Sequence, residues 1–177
     1  MLAALLLAAS TLACTGPQVA TEAELDDAHF AAGEVQQVRG EPITLAVPKG
    51  FERASDHGWL AKVRGRPVAA LRVDVVRPVP EQGMDAILDQ RVREIRKAGV
   101  AGVLRDERVE LGDLDGRLVE AVELVGDHRS ALVLVATETE DALVTATLAL
   151  PATMLKREGE MLRAALRTLR VAAPSRR

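Results

Sequence analysis

The sequence predicts an α+β fold: a largely antiparallel sheet of about six to seven strands with two main helices, layered as an α/β/α sandwich. Three observations predict it. Short apolar runs with alternating polarity recur along the chain, separated by Gly- and Asp-rich turns. In two stretches the apolar period changes from two to three and four, which is the helical period. One run, Ala131 to Ala136 (ALVLVA), is apolar on both faces, so it needs a layer above and another below it.

In chain order, the alternation Ile43-Thr44-Leu45-Ala46-Val47 predicts a first strand, stopped by a turn at Pro48-Lys49-Gly50. Trp59 to Val63 and Val68 to Val76 follow as a hairpin about Arg64-Gly65-Arg66-Pro67. From Glu81 to Ala98, Met84, Ile87, Leu88, Val92 and Ile95 make an amphipathic stripe. Acids crowd the start of that helix, Arg96 and Lys97 its end, and Gly99 is a natural stop. Four strands then fall at about 104–111, 117–125, 131–137 and 143–150. Their turns read as 112–116, 126–128 and 138–141. Pro151 suits the first turn of a closing helix whose buried stripe includes Leu155, Met161, Leu162, Ala165, Leu166 and Leu169.

The first 40 residues follow another logic. Leu2 to Ala13 is an unbroken run of apolar and small residues. As a helix it reaches about 18 Å, short of the roughly 30 Å hydrocarbon core, so it suits an export leader better than a permanent span. Thr11-Leu12-Ala13-Cys14 resembles the lipobox of bacterial lipoprotein precursors. The resemblance implies cleavage after Ala13 and diacylglycerol on the Cys14 thiol. It also implies an envelope location, with Thr15 favouring the periplasmic face of the outer membrane in a Gram-negative host. The expected organisation is a signal peptide over 1–13, a flexible tether over 14–40, a folded domain over 41–171 and a frayed tail over 172–177.

A second resemblance covers the domain. Ile43 to Phe51 (ITLAVPKGF) resembles the strand and Pro-x-Gly-aromatic opening of PsbP-like and DcrB-like proteins. The central helix, the Leu111 to Arg117 hairpin and the closing helix fall in that group's order. Its members are mostly accessory or assembly proteins, which implies a non-enzymatic role.

Composition narrows the chemistry. Aromatic residues make up 2 % of the chain, too few for the stacking platforms of sugar or single-stranded nucleic-acid binders. A formal charge of -3 gives no basic excess for a nucleic-acid partner. One cysteine allows neither an internal disulfide nor a multi-thiolate metal site. His29, His57 and His128 are too scattered for a metal pair, and no metal or cofactor is expected. Ser55-Asp56-His57 and His128-Arg129-Ser130 place all three groups in one loop, where a triad seldom converges. Asp113-Leu114-Asp115-Gly116 lacks the later ligands of a calcium loop and reads as a hairpin turn.

On the closing helix, Arg163, Arg167 and Arg170, with Lys156 and Arg157, form a candidate surface for anionic lipid or an acidic partner. The expected function is a membrane-tethered module that binds an envelope protein partner. Two alternatives stand beside it. A carrier of lipid or small apolar ligands would need a Leu- and Val-lined cavity. An enzyme would need carboxylates such as Glu120 and Glu123 to meet others in space.

Overall fold

The computed structural model describes residues 30–97, 102–125 and 128–172. Ala13, Cys14 and His29, the turn at Gly126-Asp127 and the tail beyond Ala172 lie outside them.

The strands are β1 (Ala31–Gln37), β2 (Ile43–Lys49), β3 (Phe51–Ser55), β4 (Gly58–Val63) and β5 (Arg66–Val76). After helix α1 (Gly83–Lys97) come β6 (Gly102–Leu111), β7 (Leu114–Val125), β8 (His128–Glu138) and β9 (Leu143–Pro151). Helix α2 (Ala152–Leu166) and the short β10 (Arg170–Val171) complete the described chain. Seven strands form one antiparallel sheet in the order β3-β4-β5-β9-β8-β7-β6, and β1-β2-β10 form a second of three.

The doubly apolar run is mid-sheet, as its sequence requires. On one face of β8, Val133 and Val135 join the large core with Val144, Ala146 and Leu148 of β9. That face is closed by α2 and the three-stranded sheet, through Leu45, Met154, Leu162 and Leu166. On the opposite face, Leu134 and Ala136 pack with Met84 and Leu88 of α1. Burying each of the Val, Leu and Met side chains contributes about 1.5–3 kcal/mol, which fixes the register, because a one-residue slip would exchange the faces.

Three segments depart from the sequence reading; one is the closing helix, expected to include Leu169, which stops at Leu166 and gives way to β10. Lys49 continues β2 and Gly50 alone, at φ 96°, makes the corner. The next five residues form β3, a strand the polar run Glu52-Arg53-Ala54-Ser55 conceals because it is an exposed arm of a hairpin. More consequential is β1. The expected tether extends to residue 40, yet 31–37 pair with β2, so the folded domain begins earlier.

Three residues explain that correction. Phe30 is buried against Phe51, ring centroids 5.0 Å apart. Gln36 accepts a hydrogen bond from the Trp59 indole at 2.8 Å. Gly33 sits in a bulge where any Cβ would collide with the Val47 carbonyl.

The end of α2 is locked to the small sheet by one hydroxyl. Thr168 Oγ1 accepts from Ala46 N and donates to Ala165 O, each at 2.6 Å. Thr168→Val keeps the shape but strands the Ala46 amide. It is expected to destabilise the protein by about 1–3 kcal/mol, read from urea midpoints at constant slope. An unchanged midpoint would mean that the hydroxyl bridge contributes nothing.

Candidate binding surfaces

Ionic side chains on this sheet are organised by strand alternation, which sends neighbouring residues to opposite faces. On the α1 face, Arg117 of β7 grips Asp106 of β6 bidentately, Nε to Oδ1 at 2.7 Å and Nη2 to Oδ2 at 2.9 Å. Its Nη1 also lies 2.8 Å from Asp89 of α1. This guanidinium, 13 % exposed, ties the helix to the β6–β7 hairpin. Asp106 is held below the ordinary carboxylate range, first by the Arg117 hydrogen bond, and Arg117 is correspondingly raised. At the sheet's end, Arg77 holds Glu41 through two hydrogen bonds, which likewise lower the Glu41 carboxyl.

Both carboxyls therefore have folded pKa values below their unfolded ones. Their stabilisation is complete above the unfolded pKa, near 4, and is lost as pH falls through the depressed folded values. Stability is expected to be flat from about pH 7 to 5 and to decline below about 4. Arg77→Gln and Arg117→Gln should shallow that decline in acid titrations followed by circular dichroism. A decline of the same depth in both variants would remove these pairs as its source.

On the α2 face an open groove of about 540 Å³ runs between α2 and β6, lined by Arg105, Glu160, Arg163, Ala164, Arg167 and Thr168. Arg163 donates to Glu120, which is 6 % exposed, at 2.7 Å. Arg167 donates to Glu107, which also meets Arg105 at 3.3 Å. Charge-assisted bonds of this kind are strong and hold guanidinium groups in a fixed orientation.

The expected cationic surface on α2 is thus divided. Arg163 and Arg167 line the groove with carboxylate partners. Arg170 lies in β10 and donates to the carbonyls of Arg167 and Leu169. Lys156 and Arg157 are at the other end of the helix, in its first turns.

The remaining candidates are separated by the fold. Glu120 faces α2, and Glu123, three residues on, faces α1 and pairs with Arg91 at 3.2 Å. Asp56 and His57 form the β3–β4 turn, where the Asp56 carboxylate meets Arg39 at 3.5 Å and the His57 carbonyl accepts from Val73 N. Gly112, at φ 75°, and Asp113 form a two-residue turn between the paired Leu111 and Leu114, so Asp113 and Asp115 belong to a hairpin. Among the described residues no three His, Cys, Asp or Glu side chains are grouped to hold a metal, and no helix is long and apolar enough to cross a membrane. Sequence reasoning missed the Arg117 cluster and the Arg105 wall of the groove. Charges on alternating strand positions gave the signal, but their partners are distant in sequence.

No family model and no curated protein matches this chain. Solved structures do. The solution structure of cyanobacterial PsbP (CyanoP) from Synechocystis has a TM-score of 0.58 at 14 % identity, covering 89 % of this chain and 100 % of that one. LpqN, involved in cell envelope biogenesis of Mycobacterium tuberculosis, has a TM-score of 0.55 at 12 % identity, covering 90 % and 100 %. A protein from Bacteroides thetaiotaomicron has a TM-score of 0.51 at 15 % identity, covering 82 % of this chain and 51 % of its own. The domain has the PsbP-like α+β fold.

Proposed function

We propose that this protein is an envelope lipoprotein, anchored through an acylated Cys14, whose domain is a non-catalytic module that binds a protein partner. One observation carries the binding role: the α2–β6 groove presents three arginines fixed by Glu107 and Glu120. Arginine is enriched at protein interfaces, and guanidinium groups already held in place lose little freedom when a partner arrives. The lipobox-like Leu12-Ala13-Cys14 supports the anchor, and LpqN supports an envelope setting for a domain of this shape. An apolar carrier would need a cavity lined by Leu and Val, whereas the α2–β6 groove is lined mainly by charged side chains.

Two experiments test the reading. Radiolabelled palmitate should enter the wild-type chain and not Cys14→Ser; equal labelling would remove the anchor. Crosslinking in membranes, followed by purification of the full chain, should recover a stoichiometric protein that Arg163→Glu with Arg167→Glu releases. Retention of that protein by the double variant would move the binding role away from the groove.

A further inference from the structure

The sheet registers sort the chain's turns into two poles. At one end lie the β3–β4, β6–β7 and β8–β9 turns, carrying Asp56, Asp113, Asp115, Glu138, Glu140 and Asp141. At the other lie the β2–β3 corner, the β4–β5 turn and the start of α2. The end of α1 is linked to the start of β6 by four residues and points the same way.

Every lysine in the sequence sits at this second pole or beside it. Lys49 ends β2, Lys62 precedes the β4–β5 turn, Lys97 ends α1 and Lys156 is in the opening turns of α2. All four are exposed, and none forms an ion pair among the described residues. Arg129, also exposed, lies near the start of β8. Arginine, by contrast, supplies the paired cations on the two faces of the sheet, as at Arg117 and Arg163.

The chain enters the domain at that same pole. Ala31 pairs with Lys49, and Phe30 rests on Phe51. Whatever precedes residue 30 therefore leaves from among the lysines.

We propose that the lysine pole is a membrane-facing surface that contacts anionic lipid headgroups. This rests on the anchored reading above and adds an orientation to it. A domain held by its N-terminal end brings the pole of chain entry nearest the bilayer. Unpaired ammonium groups are suited to that position, because they meet headgroup phosphates without giving up an internal partner, at a gain of roughly fivefold in affinity per lysine. The opposite, acidic pole is repelled by the same surface and is turned towards the aqueous side. The surface differs from the α2 set expected from sequence, since Arg167 and Arg170 lie towards the acidic pole.

The test uses the full chain carrying Cys14→Ser, so that no acyl chain contributes. It is sedimented with vesicles of phosphatidylcholine alone or mixed with phosphatidylglycerol. Binding should show an increment due to phosphatidylglycerol that shrinks with added salt. Substituting Lys49, Lys62, Lys97 and Lys156 together by Gln should weaken it by roughly fivefold per lysine, whereas Arg39→Gln at the acidic pole should change it by less than about twofold. Unaltered Trp59 fluorescence will show that each variant is folded. No increment, or an increment that survives the fourfold substitution, overturns the proposal. Palmitate labelling reports separately: label without an increment removes the surface and keeps the anchor, and an increment without label does the reverse.

Discussion

Trp59→Ala is expected to lower stability by about 3–5 kcal/mol, the usual cost of deleting a buried aromatic ring. For a chain of this size that corresponds to a fall in Tm of roughly 10 °C. Trp59 is 1 % exposed on the inner face of β4, within the large core. Its indole N–H bonds Gln36 of β1, and the Arg53 guanidinium stacks on its ring at 4.7 Å. The ring therefore joins three strands, and a cavity there cannot be closed by one neighbour. Trp59→Phe separates the contributions. It retains most of the apolar area and loses the donor, for an expected cost of about 1 kcal/mol plus a smaller packing term. Thermal unfolding followed by far-UV circular dichroism measures both variants. A loss below about 1 kcal/mol for Trp59→Ala would show that the ring is not a core element.

The second large effect is expected from Gly33→Ala. The β1 bulge lays the backbone at Gly33 against the Val47 carbonyl, and a methyl group has nowhere to go without moving one strand. Backbone cannot rotate aside as a side chain can, so β1 should lift from β2, with a loss of at least about 3 kcal/mol in its docking. The rest of the domain keeps its own core and should stay folded. Acrylamide quenching of Trp59, the chain's single tryptophan, should increase several-fold as the Gln36 contact opens. Limited proteolysis should cut between residues 30 and 40 in the variant and spare the wild type. Equal quenching in the two proteins would contradict the close approach of β1 to β2.

How far the sequence could be read follows from the range of the interactions. The stripes of α1 and α2 and the doubly covered β8 were legible because each is written in a periodicity within one segment, and the buried Met84, Leu88, Val92 and Ile95 agree with it. Turn chemistry worked for the same reason: Gly112 needs its positive φ whatever surrounds it. β1 failed this test. Ala31 to Gln37 is mostly exposed and carries no alternation, and its strand state depends on Trp59 and Val47, partners more than ten residues away. The groove was legible only in part. Arg163 and Arg167 stood out on a helix, but their binding to Glu120 and Glu107 depends on the β6–β7 register. The reading of Cys14 rests on a local motif alone, and the residue lies outside the described ones.

The closing strand has a practical consequence. Val171 pairs with Ile43 and Ala172 N bonds the Pro42 carbonyl, so the described residues end beside the Glu41 loop, a strand's length of about 20 Å from Phe30. In the proposed orientation, an affinity handle or fluorescent protein appended downstream of Ala172 would be carried on the pole turned away from the lipid. The same cargo inserted ahead of Phe30 would, in that orientation, stand between the lysine pole and the bilayer.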